Sequence, residues 1–220
     1  MAIDNHPRIR QNNKLKRKKY KRASYDRILI VCEGEKTEVN YFEEIRISCR
    51  LQTANVQIKH SEYGTNPLQI VEYAVDYCRK HGNRYERIYC VFDRDEHINY
   101  FNAINSASAK DKKIKNELGK YIYFSAIPSN PCFELWLLLH FELITREIHR
   151  DEVKRLLRQS EYLPDYTKGG SKYFERTRHK LNDAFANVEK QNSERQRHGH
   201  ENPSTAVGQL VKCLLAMGER

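Results

Sequence analysis

The chain has 220 residues, 39% of them hydrophobic and 31% charged, and a formal net charge of +10. This length suits one α/β domain of ordinary size with a helical extension. Because no apolar run approaches the length of a membrane span and residues 1–30 lack the apolar segment of a signal peptide, we expect neither a membrane protein nor a secreted one. The six cysteines form no C-x-x-C pair, which argues against a zinc site and favours a reducing, cytoplasmic location.

Most of the positive charge lies at the amino terminus. Residues 1–22 contain nine basic residues and one acid, so the remaining 198 residues carry a net charge of only +2. We therefore predict a basic flexible arm at residues 1–24, and such an arm attracts phosphate backbones whatever their sequence. Its candidate contacts to nucleic acid are Arg17, Lys18 and Lys19. The alternative is a disordered tail that only adds solubility.

The first predicted strand is Ile28–Cys32, a short apolar run that stops at Glu33. Gly34 allows a tight turn directly after this acid, and apolar residues at helical spacing predict a helix from about Thr37. The next predicted elements are a weaker strand at 55–60 and a helix at 67–80.

A second strand with an acidic end lies at 87–95, where β-favouring apolar residues stop at Asp93 and Asp95. The run is too short for a helix and is typical of a buried strand in a parallel sheet. In open α/β sheets ligands bind beyond the carboxyl ends of the strands, where these acids are expected to lie. Two carboxylates at this spacing suit Mg²⁺ or Mn²⁺. The alternative is that an aspartate here only caps a following helix.

Strands and helices alternate in the first hundred residues, which predicts a parallel sheet with right-handed crossovers. We also expect a surface helix at 97–118, a fourth strand at 121–127 that is broken by Pro128, and an apolar helix at 132–140. Glu134 is unusual, because it is an acid in the first turn of a helix that otherwise suits the core. The predicted α/β core covers residues 25–142.

The character of the chain changes near residue 145, and we predict a helical extension at 143–220 that packs on the core. Residues 191–202 contain no apolar residue and are therefore expected to form a loop or a mobile segment. The helices of the extension are expected at about 150–159, 171–190 and 203–217, the last opened by Pro203.

Several runs of the sequence carry a family resemblance. They are V-C-E-G-E-K-T-E-V-N-Y-F (31–42), V-F-D-R-D (91–95), S-N-P-C-F-E-L-W-L-L-L-H-F (129–141) and N-P-S-T (202–205). A glutamate and a glycine after the first strand, with a D-x-D pair after the third, resemble the Toprim domain of topoisomerases, bacterial primases and OLD-type nucleases. The four runs together resemble the RloB family, which includes the second component of the AbiL abortive-infection system of bacteria. The resemblance covers about residues 26–215.

The resemblance implies a metal-dependent, Toprim-like nuclease used in defence against phage, with a companion ATPase of the ABC/AAA type encoded beside it. On this basis Asp93 and Asp95 match the metal-binding D-x-D pair. Glu33 matches the Toprim glutamate, as a metal ligand or a general acid/base. Glu134 lies in the N-P-C-F-E-L-W run, and our inference is that it is a catalytic residue that binds a second metal ion.

The residue types agree with this chemistry. Phosphodiester hydrolysis needs neutralised phosphate charge, an activated water and a stabilised leaving oxygen, and Mg²⁺ or Mn²⁺ held by carboxylates can provide all three. Lys36 is either a phosphate contact or a solvated lysine, and Arg94 is expected to point away from the two aspartates as a structural residue or a phosphate contact. Glu35 and Glu38 are expected to favour the positive end of their helix.

Two other functions stay open. The first is a Toprim-like binding module of a defence complex, which docks on nucleic acid or a partner without cutting, although clustered acids do not help a module that binds phosphate. The second is nucleotidyl transfer of the primase kind, for which 220 residues leave little room. DNA, RNA and tRNA in particular all stay open as substrates, and so does a homo-oligomer.

Overall fold

The computed structural model of the protein describes residues 26–94 and 97–219. The predicted basic arm with Arg17, Lys18 and Lys19 therefore lies outside the described residues, and so does Asp95. The described part is a mixed α/β protein built on a five-stranded, mostly parallel sheet, which confirms the predicted fold class and is consistent with a Toprim-like arrangement. Within it, no helix combines the length and the apolarity that crossing a bilayer requires.

The sheet places two acidic strand ends side by side. The strands are β1 (Ile28–Cys32), β2 (Val56–His60), β3 (Arg87–Asp93), β4 (Tyr123–Asn130) and β5 (Ser204–Thr205). Their order across the sheet is β2-β1-β3-β4-β5, with β5 antiparallel to β4 and the other pairs parallel. Because β1 and β3 are parallel neighbours, their carboxyl ends lie at the same edge of the sheet.

Helices cover both faces of the sheet. They are α1 (Thr37–Ser48), α2 (Pro67–Lys80), α3 (Tyr100–Lys110), α4 (Glu134–Leu138), α5 (Arg150–Leu157), α6 (Tyr173–Thr177), α7 (Leu181–His198) and α8 (Val207–Gly218). Successive strand residues point to opposite faces, so Leu29 and Val31 pack with α2 and α3, whereas Ile28 and Ile30 pack with α1, α4 and the later helices. Burial on both faces explains why these strands are continuously apolar.

β4 continues through Pro128, so the predicted strand break at this residue is wrong. Pro128 pairs in register with Phe92 of β3, and the strand ends only at Asn130. The Pro128 carbonyl accepts a hydrogen bond from the Ala206 N–H (2.9 Å), on the side of β4 that faces β5. The N–H and C=O of one residue point to the same side of a strand. An N–H at position 128 would therefore face β5, so its absence in proline costs no hydrogen bond to β3.

The helices on either side of β4 are shorter than predicted. α3 ends at Lys110, because the chain then turns back toward the sheet and the Asp111 carboxylate accepts a hydrogen bond from the Phe124 N–H (3.0 Å). Asn116 closes a further turn by accepting from the Lys120 N–H (2.9 Å). α4 covers only Glu134–Leu138, and single hydrogen-bonded turns replace its predicted ends.

The predicted loop at 191–202 is wrong for most of its length, because α7 extends to His198. Gln191 is buried, and its Nε2 donates a hydrogen bond to the Ile144 carbonyl (2.8 Å), so a polar side chain anchors the helix where apolar ones are missing. Pro203 is followed by β5 rather than by a helix, and α8 begins at Val207.

A hydrogen bond in the core gives a stability prediction. The Trp136 Nε1–H donates to the Tyr41 hydroxyl (2.7 Å), and both side chains are fully buried. We expect Tyr41→Phe to lower the free energy of unfolding in urea by about 1–3 kcal/mol, because it removes the acceptor of a buried donor. The control Tyr63→Phe removes an exposed hydroxyl that bonds Asp76 (3.2 Å) and should cost less than about 0.5 kcal/mol. Equal losses would contradict this account of the core.

A buried histidine gives a prediction for the pH dependence of stability. The Nδ1 of His140 lies 2.9 Å from the Trp136 carbonyl oxygen, and its Nε2 has no hydrogen-bond partner in the described part of the chain. Burial lowers the pKa of His140 from 6.5 to about 4. The unfolded chain therefore takes up a proton between these pH values, and stability falls as the pH decreases.

From pH 7 to pH 5 this histidine should cost about 2 kcal/mol of unfolding free energy. The variant His140→Asn keeps an N–H donor for the Trp136 carbonyl but cannot titrate, so this part of the pH dependence should disappear whatever the variant's absolute stability. Urea unfolding at several pH values measures it. An unchanged slope in the variant would show that other groups cause the acid sensitivity.

Candidate functional site

Glu33 and Asp93 meet at the carboxyl ends of β1 and β3. The Glu33 N–H donates to the Val91 carbonyl (2.9 Å), which extends the pairing of the two strands as far as the acid. The Glu33 Oε2 in turn accepts a hydrogen bond from the backbone N–H of Asp93 (2.9 Å). Both residues are largely buried, with 12% of the Glu33 side chain and 8% of Asp93 exposed. The structure thus brings together two of the predicted site residues.

The loop after Glu33 is held by Glu38, which lies in the first turn of α1. The Glu38 carboxylate folds back over Gly34 and lies close to the backbone N–H groups of Gly34 and of Glu38 itself, which favour its charged form. A Cβ on Gly34 would lie 2.8 Å from the Glu38 Cδ and would overlap with its Oε2. Sequence reasoning assigned Glu38 to the positive end of the helix, with direct metal contact as the alternative. It missed this contact, for which the signal is the glutamate four residues after the glycine.

Glu134 lies in a buried polar cluster beside this loop, with 4% of its surface exposed. Its Oε1 accepts a hydrogen bond from the Tyr166 hydroxyl (2.6 Å). Burial, followed by the nearby Glu134 carboxylate, raises the pKa of Glu38, and Lys168 acts in the opposite direction. Burial and then Glu134 also raise the pKa of Tyr166, so its hydroxyl stays a donor. The assignment of Glu134 to a second metal ion stays a prediction.

One cysteine links this cluster to the acidic strand ends. Burial raises the pKa of the Cys132 thiol, and the carboxylates of Glu134 and Asp93 raise it further. Cys132 therefore lies near both acids and remains protonated. It is a small, fully buried residue close to both.

The donor set at the strand ends fits a hard cation. Glu33 and Asp93 supply carboxylate oxygens, which Mg²⁺ and Mn²⁺ prefer. In residues 26–94 and 97–219, no group of three or more histidine, cysteine, aspartate or glutamate side chains is arranged to hold a metal ion. The third predicted ligand, Asp95, lies outside the described residues. A metal ion at this edge of the sheet therefore stays a prediction.

Lys36 is exposed at the start of α1, where its stem packs on the segment at 167–170. A Cβ on Gly169 would lie 3.0 Å from the Lys36 Cδ, and the Gly169 N–H donates to the Thr37 Oγ1 (2.8 Å). The Asn40 Nδ2 donates to the Gly169 carbonyl (3.3 Å) and fixes the same segment. A phosphate contact by Lys36 stays a prediction.

Arg94 forms an ion pair and stacks on two rings. Its Nη1 lies 2.7 Å from the Glu201 Oε2, and its guanidinium lies 5.7 Å and 5.4 Å from the ring centres of Tyr100 and Phe101. The Arg94 N–H donates to the Ser129 carbonyl (2.7 Å), which continues the pairing of β3 with β4. These contacts are those of a structural residue, and Arg94 also lines the cavity described next, so a phosphate contact by Arg94 stays a prediction.

A cavity of about 690 Å³ opens beside the acidic edge. Its walls come from the ends of β3 and β4, the residues at the start of α5 and the residue before Pro203. The residues that line it are Arg94, His97, Asn130, Pro131, Glu147, Ile148, His149, Arg150 and Asn202. The His97 Nε2 also lies 3.9 Å from the Glu33 Oε1, so one wall residue of the cavity is close to the acidic strand ends. Sequence reasoning missed His149 and Arg150, because neither stands in a motif with a chemical signature.

The fold and the site together define an α/β protein with acids at the carboxyl ends of two central parallel strands and a cavity next to them whose lining includes two arginines. A family model described as RloB-like protein matches residues 28–214. The chain therefore belongs to the RloB-like family, as the sequence motifs predicted. No match is found among curated proteins or among solved structures.

Proposed function

We propose that the protein is a metal-dependent nuclease that hydrolyses phosphodiester bonds of nucleic acid. The observation that supports the proposal best is the position of Glu33 and Asp93, joined by a hydrogen bond (2.9 Å) at one edge of the sheet, close to a cavity whose lining includes Arg94 and Arg150. A module that only binds phosphate gains nothing from carboxylates at this place, whereas a metal site requires them.

Each part of the site has a role in this proposal. Glu33 and Asp93, together with Asp95, would hold Mg²⁺ or Mn²⁺. When bound, the ion supplies charge neutralisation on the phosphate and an activated water. The Asp93 N–H keeps the Glu33 carboxylate in one orientation, and Glu38 holds the loop on which Glu33 stands. The arginines of the cavity attract the phosphates on either side of the bond that is cut.

The biological context of the proposal rests on family membership. We infer that cleavage serves abortive infection against phage and that an ATPase of the ABC/AAA type, encoded alongside, controls it. An enzyme that is toxic to its own cell needs such a control.

The direct test is a cleavage assay with the purified full-length chain. The substrates are single-stranded and duplex DNA, single-stranded RNA and bulk tRNA, each with Mg²⁺, with Mn²⁺ or with EDTA, and each with and without the companion ATPase. We expect cleavage of at least one substrate with metal and none with EDTA. Nucleic acid that is bound but never cut, even with the ATPase and its nucleotide present, would favour the binding module instead.

A further inference from the structure

We propose that the cavity beside Glu33 binds an unpaired nucleotide of the nucleic-acid chain, next to the bond that is cut. The substrate is then single-stranded at this point. This inference rests on the proposed nuclease function and deepens it, because it names the form of substrate that the site accepts.

The cavity is formed before any ligand arrives. Asn202 bonds the backbone of Ile148 through both ends of its side-chain amide, accepting from the N–H (3.3 Å) and donating to the carbonyl (3.0 Å). The Asn130 Nδ2 donates to the Glu201 carbonyl (3.0 Å). Three wall segments are therefore bonded into one frame, as is usual for binding sites of small molecules and nucleotides.

The shape of the cavity favours an unpaired nucleotide over a duplex. Its volume of about 690 Å³ lies in the range of sites that enclose a small molecule, and it is walled by segments from different parts of the chain. A base inside a duplex cannot enter such a space unless it leaves the stack, which costs a few kcal/mol. Unstacked bases of single strands enter without that cost.

Two arginines in the walls favour a phosphate-bearing ligand. Among the described residues that line the cavity, Arg94 and Arg150 are cationic and Glu147 is acidic, and Arg94 is paired with Glu201 outside this set (2.7 Å). The first turn of α5 itself carries two acids, so the attraction comes from the side chains and not from the end of the helix. Arginine is well suited to phosphate because it donates parallel hydrogen bonds.

The position of the cavity links this nucleotide to the bond that is cut. His97 lines the cavity and also lies 3.9 Å from the Glu33 Oε1. A nucleotide in the cavity therefore has its phosphate close to the acidic strand ends. This position gives no advantage to a free nucleotide. A nucleotide within a chain places its neighbouring phosphodiester close to Glu33 and Asp93.

The test measures binding without metal, by fluorescence anisotropy of labelled ten-nucleotide strands in EDTA at about 0.15 M salt. Each sequence is used as RNA and as DNA, single-stranded and as a duplex. The variant Arg150→Ala removes a cation of the cavity and leaves the Arg94–Glu201 pair intact. The control Arg155→Ala removes an exposed arginine of the same helix that pairs with Glu152 (3.6 Å) and does not line the cavity.

We expect the wild-type chain to bind single strands at least about tenfold more tightly than duplexes of the same sequence. Arg150→Ala should weaken single-strand binding by about tenfold, Arg150→Lys by about threefold, and Arg155→Ala by less than about twofold. The amino-terminal residues are present in every variant, so their contribution cancels when a variant is compared with the wild-type chain on the same strand. Thermal melting of each variant confirms that it is folded.

Three results would overturn the inference: equal affinity for duplexes, unchanged binding by folded Arg150→Ala, or displacement of the strand by an equal concentration of adenosine monophosphate. The last result would assign the cavity to a free nucleotide. Because no metal is present, the outcome does not depend on cleavage. If the binding ratios are as expected but the cleavage assay detects no cleavage, the nuclease function is refuted and the nucleotide site is retained. If cleavage is detected but the binding ratios are not as expected, the nuclease function is retained and the nucleotide site is refuted.

Discussion

Asp93→Asn is expected to reduce metal-dependent cleavage by at least about a thousandfold. The substitution keeps the size of the side chain and removes the negative charge that, in the proposed site, would hold the cation at the end of β3. Losing the metal removes several kcal/mol of transition-state stabilisation, and each 1.36 kcal/mol corresponds to about a tenfold change in rate. Initial rates at saturating substrate and metal measure the effect.

Two features make this variant a clean test. The hydrogen bond to Glu33 comes from the backbone N–H of Asp93, which the variant keeps, so the loss is not due to a displaced glutamate. The matched control is Asp76→Asn, which removes a 52% exposed carboxylate on α2 and should leave the rate unchanged. A rate for Asp93→Asn above about a tenth of the wild-type rate would show that the metal is held elsewhere.

Gly34→Ala is expected to reduce cleavage by about a hundredfold and stability by about 1–3 kcal/mol. The added Cβ would overlap with the Glu38 carboxylate, so either Glu38 moves and releases the loop, or the loop moves and displaces Glu33. Displacements of about 1 Å at a catalytic group are enough for rate losses of this size. Rates and urea unfolding are measured on the same samples.

The Glu38→Ala background tests the cause of this effect. Without the Glu38 carboxylate, the Cβ added at position 34 does not clash with it. Adding Gly34→Ala to Glu38→Ala should therefore lower the free energy of unfolding by less than about 0.5 kcal/mol. The difference between the two backgrounds gives the coupling energy between the residues. Additive losses would mean that Gly34 is required for a reason other than contact with Glu38.

The fold and half of the site could be predicted because their signals are local. The strands that end at Glu33 and Asp93 are continuous apolar runs that stop at acids, and such runs indicate buried parallel strands without further information. Parallel neighbours then place their carboxyl ends together, and the hydrogen bond from Asp93 to Glu33 agrees with that expectation.

The remaining features depend on contacts between distant parts of the chain. The end of α7 could not be predicted, because its anchor is a hydrogen bond from Gln191 to Ile144 and not an apolar face. The cavity could not be predicted either. Its walls meet because the Ser129 and Thr205 hydroxyls, 76 residues apart, lie 3.0 Å from each other where β5 joins the sheet. Ser129 and Thr205 each lie in one of the family motifs, 129–141 and 202–205, but no sequence signal near either motif shows that the two are in contact.

The measurement that tests the central claim most directly is a calorimetric titration of Mn²⁺ and Mg²⁺ into the full-length chain and into Asp93→Asn. The account predicts saturable binding of at least one of these cations to the wild-type chain, and its loss in the variant while thermal melting shows an intact fold. No saturable binding to the wild-type chain, or equal binding to both proteins, would contradict the assignment of a metal site to Glu33 and Asp93.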